Sequence, residues 1–115
     1  MALQAQYVHG DATMQDYTPG SAVPAGTVVV IGAAGWAIGI AHQDLAANAL
    51  SSLAAGFGIY RCQGFGAIAQ GAKVYWDNAA KNVTTVSAGN TLMGYAMTAC
   101  SGAGAYMEVL HNAFI

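Results

Sequence analysis

The stretch Pro24-Ala25-Gly26-Thr27-Val28-Val29-Val30-Ile31 decides the fold class of this chain. Every residue from Thr27 to Ile31 is β-branched, and such side chains favour strands because they pack well on a pleated surface. Pro24 and Gly26 stand directly before this run, and both residue types favour turns. The sequence therefore predicts a β-strand that begins as the chain leaves a turn.

Further strand signals recur along the chain, separated by turn residues. They are the segments 74–76, 83–86, 91–99 and 106–110. Turn signals fall at a spacing of about ten residues, which is typical of compact barrels and sandwiches. The length is that of one domain. We therefore predict a mostly β protein, a single small β-barrel or sandwich-like domain over residues 1–115 with at most one short helix.

Two stretches leave the choice of element open. In residues 43–55 three apolar side chains have helical spacing, but Gly56 and Gly58 follow at once. This stretch is therefore either a helix or a loop that ends in a strand. Residues 66–70 could form one helical turn before Gly71.

Two pairs of segments echo each other. Residues 25–29 resemble residues 70–74, and residues 38–41 resemble residues 93–96. Each half of the chain would then hold a strand, a turn and a strand with a glycine at which another backbone approaches. The offsets of the two pairs, 45 and 55 residues, differ by ten, so the sequence alone leaves an internal duplication open.

Charged residues are scarce. The chain has three Lys and Arg and five Asp and Glu, for a net charge of −2. An average domain of this length has about thirty charged residues, and a folded one exposes about 5,800 Å². Most of that surface must be uncharged, which suits close contact with protein partners; a neutral surface that is merely soluble is the alternative. So few cations build no basic surface, and we expect no nucleic-acid partner.

Segments that would direct the chain to a membrane are not found in the sequence. The longest apolar run, residues 28–41, contains three glycines and is shorter than the roughly 20 residues that span a bilayer. The first residues lack the basic stretch and apolar core of a signal peptide. We therefore expect no membrane partner, synthesis in the cytoplasm, and reduced thiols at Cys62 and Cys100.

Nucleotide-binding motifs are incomplete. Residues 66–73 look like a phosphate-binding loop, but Ala72 separates Gly71 from the lysine, and Val74 stands where a magnesium-binding hydroxyl belongs. The glycines that follow Ile31 lack the helix and the acidic residue of a dinucleotide site. We therefore predict no cofactor-binding residue and no cofactor.

The residues that could carry catalysis or bind a metal are scattered. His9, His42 and His111 have no metal-ligand spacing with one another or with the cysteines. No nucleophile lies in a glycine-flanked elbow. We predict no catalytic residue and no metal-binding residue, and therefore a protein that is not an enzyme.

Several segments resemble a known family. They are residues 7–11, 16–32, 38–41, 71–77, 89–96 and 109–110. The sequences Asp-Tyr-Thr-Pro at 16–19 and Val-Tyr-Trp-Asp at 74–77 are the most specific. In these segments the chain resembles phage capsid decoration (cement) proteins, a family of domains of unknown function formerly labelled predicted RecA/RadA-type phage recombinases.

The resemblance implies a virion structural protein. Such a protein binds the outer surface of an icosahedral phage head and stabilises it by linking neighbouring capsomers. The implied partners are the major capsid protein and further copies of the chain in a homotrimer. The implied location is the outer surface of the phage head, after synthesis in the host cytoplasm. A small β-module that binds a ligand or a glycan as a virion accessory is the alternative.

The N-terminal residues are where we predict an interface. Residues 2–17 hold only two charges and several large apolar side chains, unlike a free tail. We predict that residues 1–20 form an arm or edge strand that pairs with a neighbouring copy or with the capsid. The predicted contacts are Leu3, Tyr7, Val8, Met14 and Tyr17. The alternative is that this segment is simply the first strand of the domain's own sheet.

Overall fold

The computed structural model describes residues 4–10, 12–31 and 37–112, and all regular structure in these ranges is β-strand. The predicted mostly β fold is therefore confirmed, and none of these residues forms a helix that could cross a membrane. The strands are β1 (Gln6–His9), β2 (Thr13–Tyr17), β3 (Val28–Ile31), β4 (Ala37–Ile40), β5 (Ser51–Gln63), β6 (Lys73–Asp77), β7 (Asn82–Thr84), β8 (Thr91–Ala96) and β9 (Tyr106–Asn112).

Strand β5 is the centre of one sheet with the order β3-β4-β5-β9-β8-β6-β7. It is 13 residues long, which is enough to pair with four strands. Its first half lies between β2 and β4, and its second half lies between β1 and β9, all antiparallel. The register shifts between Gly56 and Ile59, where Phe57 has a φ of 70°. This irregularity divides β5, and the sheet, into two halves.

Neither stretch that was left open forms a helix. The loop that ends in a strand is the correct alternative for residues 43–55, because Leu45 pairs with Val23 and β5 begins at Ser51. In β5 four consecutive residues from Leu53 are buried, so both faces of the strand are covered and the alternation that marks a half-exposed strand is lost. The helical turn at residues 66–70 is wrong, since Ile68 forms an isolated bridge to Cys100.

Buried apolar residues form two clusters. The larger core cluster includes the largest fully buried side chains, those of Trp76 and Tyr60. The smaller core cluster consists of Ala41, Leu45 and Leu53. Full burial of a large apolar side chain contributes roughly 2–3 kcal/mol, so the larger cluster supplies most of the stability.

Strand β3 contributes to both clusters because successive side chains of a strand point to opposite faces. Val28 and Val30 pack against the larger core cluster, and Val29 and Ile31 pack against the smaller one. The β-branched run therefore forms a strand that is covered on both faces.

The two halves of the chain repeat one backbone arrangement. The Gly26 N–H donates to Ala41 O at 2.7 Å, and the Gly71 N–H donates to Ala96 O at 2.7 Å. Gly26 and Gly71 have φ values of 83° and 87°, a region that favours glycine. These are the positions at which the sequence segments echo each other, and the structure repeats there as well.

The repetition extends to the loops on either side. The bridge between Val23 and Leu45 corresponds to the bridge between Ile68 and Cys100. The pairing of β2 with the start of β5 corresponds to the pairing of the end of β5 with β9. We call residues 13–56 the first repeat and residues 58–112 the second repeat.

A left-handed residue closes the same loop in both repeats. Asn48, with a φ of 61°, donates its N–H to Pro19 O, and Gly104, with a φ of 79°, donates its N–H to Gly64 O. Pro19 and Gly64 are thus equivalent positions. The offset between equivalent residues is 45 as far as β3 and β6, and 55 from β4 and β8 onward (56 between Asn48 and Gly104). It grows because the segment between β6 and β8 is longer than that between β3 and β4 and contains β7.

Candidate interaction surface

The N-terminal strands lie at the edge of the chain's own sheet. Tyr7 and Val8 are in β1 and Met14 is in β2, with exposed fractions of 45%, 39% and 45%. Tyr17, the last residue of β2, is half-buried against the smaller core cluster, and Leu3 lies outside the described residues. Because β1 and β2 pair with β5, they are the first strands of the domain's own sheet. Within the chain, the alternative prediction is therefore the correct one. Contacts outside the chain stay a prediction.

This strand pair presents apolar side chains and almost no charge. Asp16 is the one charged residue in β1 and β2. All four residues of β1 are exposed, as are the first four of β2. Edge strands offer free main-chain donors and acceptors, and proteins usually protect such edges with charges or proline. The edge formed by β1 and β2 has little of this protection and therefore suits contact with another protein.

Tyr7 is held in place by a cluster of aromatic and histidine side chains. Its ring lies 4.6 Å from that of His42 and 5.7 Å from that of Tyr60, centroid to centroid. The Tyr7 hydroxyl donates to Gly10 O, and the Tyr60 hydroxyl is 2.5 Å from His42 Nε2. The ring of His111 meets Tyr60 edge-on at 5.9 Å. We call these four side chains, Tyr7, His42, Tyr60 and His111, the tyrosine–histidine cluster.

Burial keeps three members of the cluster, His42, Tyr60 and His111, uncharged near pH 7. Burial lowers the pKa of His42, and burial raises the pKa of the Tyr60 phenol well above its usual range. Burial also lowers the pKa of His111 to about 4. A phenol that stays protonated can donate to a neutral imidazole, so the hydrogen bond from Tyr60 to His42 needs no charge. The cluster is suited to fixing the ring of Tyr7 at the surface rather than to moving protons.

Sequence reasoning singled out Tyr7 as a predicted contact but did not find the side chains that surround it. His42 and Tyr60 are 18 residues apart, and His111 comes from the last strand. No spacing signal joins them, because the sheet brings them together through pairings distant along the chain.

Among the described residues, two of the surface clefts lie beside side chains already named or next to β9. One of about 210 Å³ is lined by residues that include Tyr7, Gly26 and His42. The other, of about 190 Å³, is lined by residues that include Arg61, whose guanidinium lies 4.7 Å from the ring centroid of Tyr106. Pockets for small molecules are commonly about 300–1,000 Å³, so neither cleft favours a ligand-binding module.

In the part of the chain that the structure describes, no three His, Cys, Asp or Glu side chains gather as metal ligands.

One comparison with known proteins identifies a family. The model of a family described as phage cement protein matches residues 8–111, and no curated protein matches the chain. The match covers nearly the whole chain and confirms the resemblance seen in the sequence. The chain belongs to the phage cement protein family.

Proposed function

We propose that this cement protein binds the outer surface of a phage head and stabilises the head by linking neighbouring capsomers. The proposal rests on one observation. In this member of the family, β1 and β2 are exposed and carry almost no charge. Few charges need to lose their hydration when such a surface is covered, so a modest interface suffices. The predicted contacts are Leu3, Tyr7, Val8, Met14 and Tyr17.

The proposed partners are the major capsid protein and two further copies of the chain in a homotrimer. The scarcity of charge supports contact between copies as well as contact with the capsid. The proposed location is the outer surface of the head, with the trimers at threefold positions. Sedimentation of the free protein and counting of copies on heads test this arrangement, and isolated single copies on the head contradict the trimer.

Stabilisation follows from linkage, without any catalytic step. A protein that binds intact heads more tightly than dissociated subunits raises the temperature at which heads come apart. Heads that lack the protein should therefore release their genome at a lower temperature than heads that carry it. Identical release curves for the two would contradict the proposal.

A point substitution tests the surface more cleanly than a truncation does. Deleting residues 2–9 would remove Ala5, which is 1% exposed, together with β1, and would disturb the sheet itself. Met14→Glu instead places a carboxylate on the proposed interface and should weaken head binding at least tenfold, about 1.4 kcal/mol. Val86→Glu is the matched control, because Val86 is 51% exposed but lies after the end of β7 and outside β1 and β2.

Both variants should unfold at the temperature of the wild type, since both replaced side chains are exposed. Binding of the Met14→Glu variant equal to that of the Val86→Glu variant would show that β1 and β2 are not the interface.

A further inference from the structure

Arg61 lies near the end of β5 and is the one arginine of the chain. Its guanidinium lies 4.7 Å from the centroid of the Tyr106 ring, within the range of a cation–π contact. Stacking fixes the plane of the guanidinium and leaves the N–H groups along its edge available to a carboxylate. Both side chains are exposed. We call them the arginine–tyrosine pair.

The arginine–tyrosine pair stands at a cleft of about 190 Å³. One wall of this cleft is held by hydrogen bonds. Thr98 Oγ1 accepts from the Glu108 N–H at 2.9 Å, and the Met97 N–H donates to Glu108 O at 2.8 Å. Arginine and tyrosine often carry much of the binding energy at protein interfaces, so this surface suits an acidic side chain of a protein partner.

Asp16 supplies a carboxylate on the strand pair of β1 and β2. It is exposed, and its neighbour Tyr17 packs against the smaller core cluster. Because successive side chains of a strand point to opposite faces, Asp16 and Met14 share the outer face of β2. This face therefore presents one negative charge beside an apolar side chain.

Asp16 and Arg61 occupy equivalent positions in the two repeats. Asp16 precedes Pro19 by three residues, as Arg61 precedes Gly64, and the offset between them is 45 residues. Their strands also pair alike, since β2 pairs with the start of β5 and the end of β5 pairs with β9. The backbone arrangement is repeated while the charge is reversed, so the first repeat carries the charge that complements the second.

The two side chains cannot meet inside one chain. Asp16 pairs with Ser52, and Arg61 lies nine residues further along β5. At about 3.3 Å per residue, this separation is roughly 30 Å along the strand. An ion pair between Asp16 and Arg61 therefore requires two copies of the chain.

Among the carboxylates that the structure describes, Asp16 fits this role best. The Asp44 and Asp77 carboxylates accept hydrogen bonds from backbone N–H groups of loops in their own chain. Glu108 lies directly opposite Arg61 in the pairing of β5 with β9, so it belongs to the arginine surface itself.

We propose that Asp16 of one copy binds Arg61 of a second copy. The inference rests on the proposed function, since it names the contact between copies of the proposed homotrimer. Because two different surfaces of the chain meet, the contact is head-to-tail, and a head-to-tail contact that closes gives a ring. A ring of three pairs every Asp16 with an Arg61. The approach of β2 also brings Met14 to this interface.

Charge reversal of the two residues tests the contact. Arg61→Asp and Asp16→Arg each replace attraction with repulsion, so each should raise the concentration at which free copies associate about tenfold or more, as measured by sedimentation. The variant with both changes restores opposite charges and should associate within about threefold of the wild type. Lys73→Asp is the matched control, because Lys73 is exposed on β6 and the change in charge is that of Arg61→Asp; it should associate like the wild type.

Cross-linking on heads gives a second test that does not depend on association in solution. The variant with both Asp16→Cys and Arg61→Cys places two thiols too far apart to bond within one chain, and the native Cys62 and Cys100 are buried. Under mild oxidation on heads it should give covalent products of two and three chains and none larger. The variant with Asp16→Cys and Lys73→Cys is the control and should remain single chains.

Three outcomes overturn the inference and leave head binding and stabilisation standing. They are association of the single charge-reversal variants as tight as that of the wild type, no recovery in the variant with both reversals, and equal cross-linking by the two cysteine variants. Products larger than three chains would overturn the closed ring. If the free wild type does not associate, the cross-linking on heads decides. A wild-type protein that does not bind heads overturns both the inference and the proposed function.

Discussion

Acid should destabilise the free protein through His111. The ring is fully buried, its Nε2 is 3.0 Å from Ile38 O, and Nδ1 has no hydrogen-bond partner among the described residues. Nε2 therefore donates to the carbonyl, and a second proton would have to bind at Nδ1. The groups that face this ring, Tyr60, His42 and the Ile38 carbonyl, include no carboxylate. A charged imidazolium would thus lack a counter-charge inside the core.

The magnitude follows from the difference in proton affinity between the two states. Burial lowers the pKa of His111 from 6.5 to about 4. As the pH falls below 6.5 the unfolded chain takes up this proton and the folded protein does not, so stability that is present above pH 6.5 is lost toward pH 4. At about 1.4 kcal/mol per pKa unit, the free energy of unfolding should fall by about 2 kcal/mol from pH 7 to pH 5.

Urea unfolding at pH 7, 6 and 5 measures this loss. His111→Gln keeps an N–H that can donate to Ile38 O but does not titrate, so its free energy of unfolding should change much less over this range. His9→Gln is the control, because His9 is exposed and its replacement should leave the wild-type slope unchanged. An equal loss in His111→Gln and in the wild type would refute this reasoning.

Three further predictions concern packing. An alanine Cβ at Gly39 would lie 2.8 Å from Leu53 Cδ1, so thermal unfolding of Gly39→Ala should show a loss of about 1–3 kcal/mol; an unchanged melting temperature would contradict the close packing of β4 on β5. Val83→Ala should cost roughly 2 kcal/mol in the same assay because the side chain is fully buried, and a neutral effect would show that β7 does not complete the core. The Cys62 thiol is buried and its pKa is raised to about 12, so a thiol reagent at pH 8 should modify it only as fast as the protein unfolds; faster labelling would contradict a closed core.

The fold class could be predicted from the sequence because its strongest signals are local. The β-branched run of β3 and the turn at Gly26 specify their structure within a few residues. Strands β1 and β2 were harder to predict, since they are exposed edge strands whose residues show no alternation. Strand β5 was missed in part because Gly56 and Gly58 interrupt its sequence. They lie at the register shift near Phe57.

The surface could be predicted only in part. Tyr7, Val8 and Met14 were predicted as contacts because large apolar residues stood among few charges; the structure shows that they are exposed, and their contacts outside the chain stay a prediction. The tyrosine–histidine cluster could not be predicted, because it depends on residues brought together from distant strands. The sequence echo was visible, but the bridge from Val83 of β7 to Gly64 could not be read from it.

Imaging of purified phage heads that carry the protein, at a resolution that separates strands, tests the central claim most directly. The account predicts copies in groups of three on the outer surface of the head, each in contact with the major capsid protein, and no such density on heads made without the protein. Heads with the same outer surface in both preparations would contradict the account.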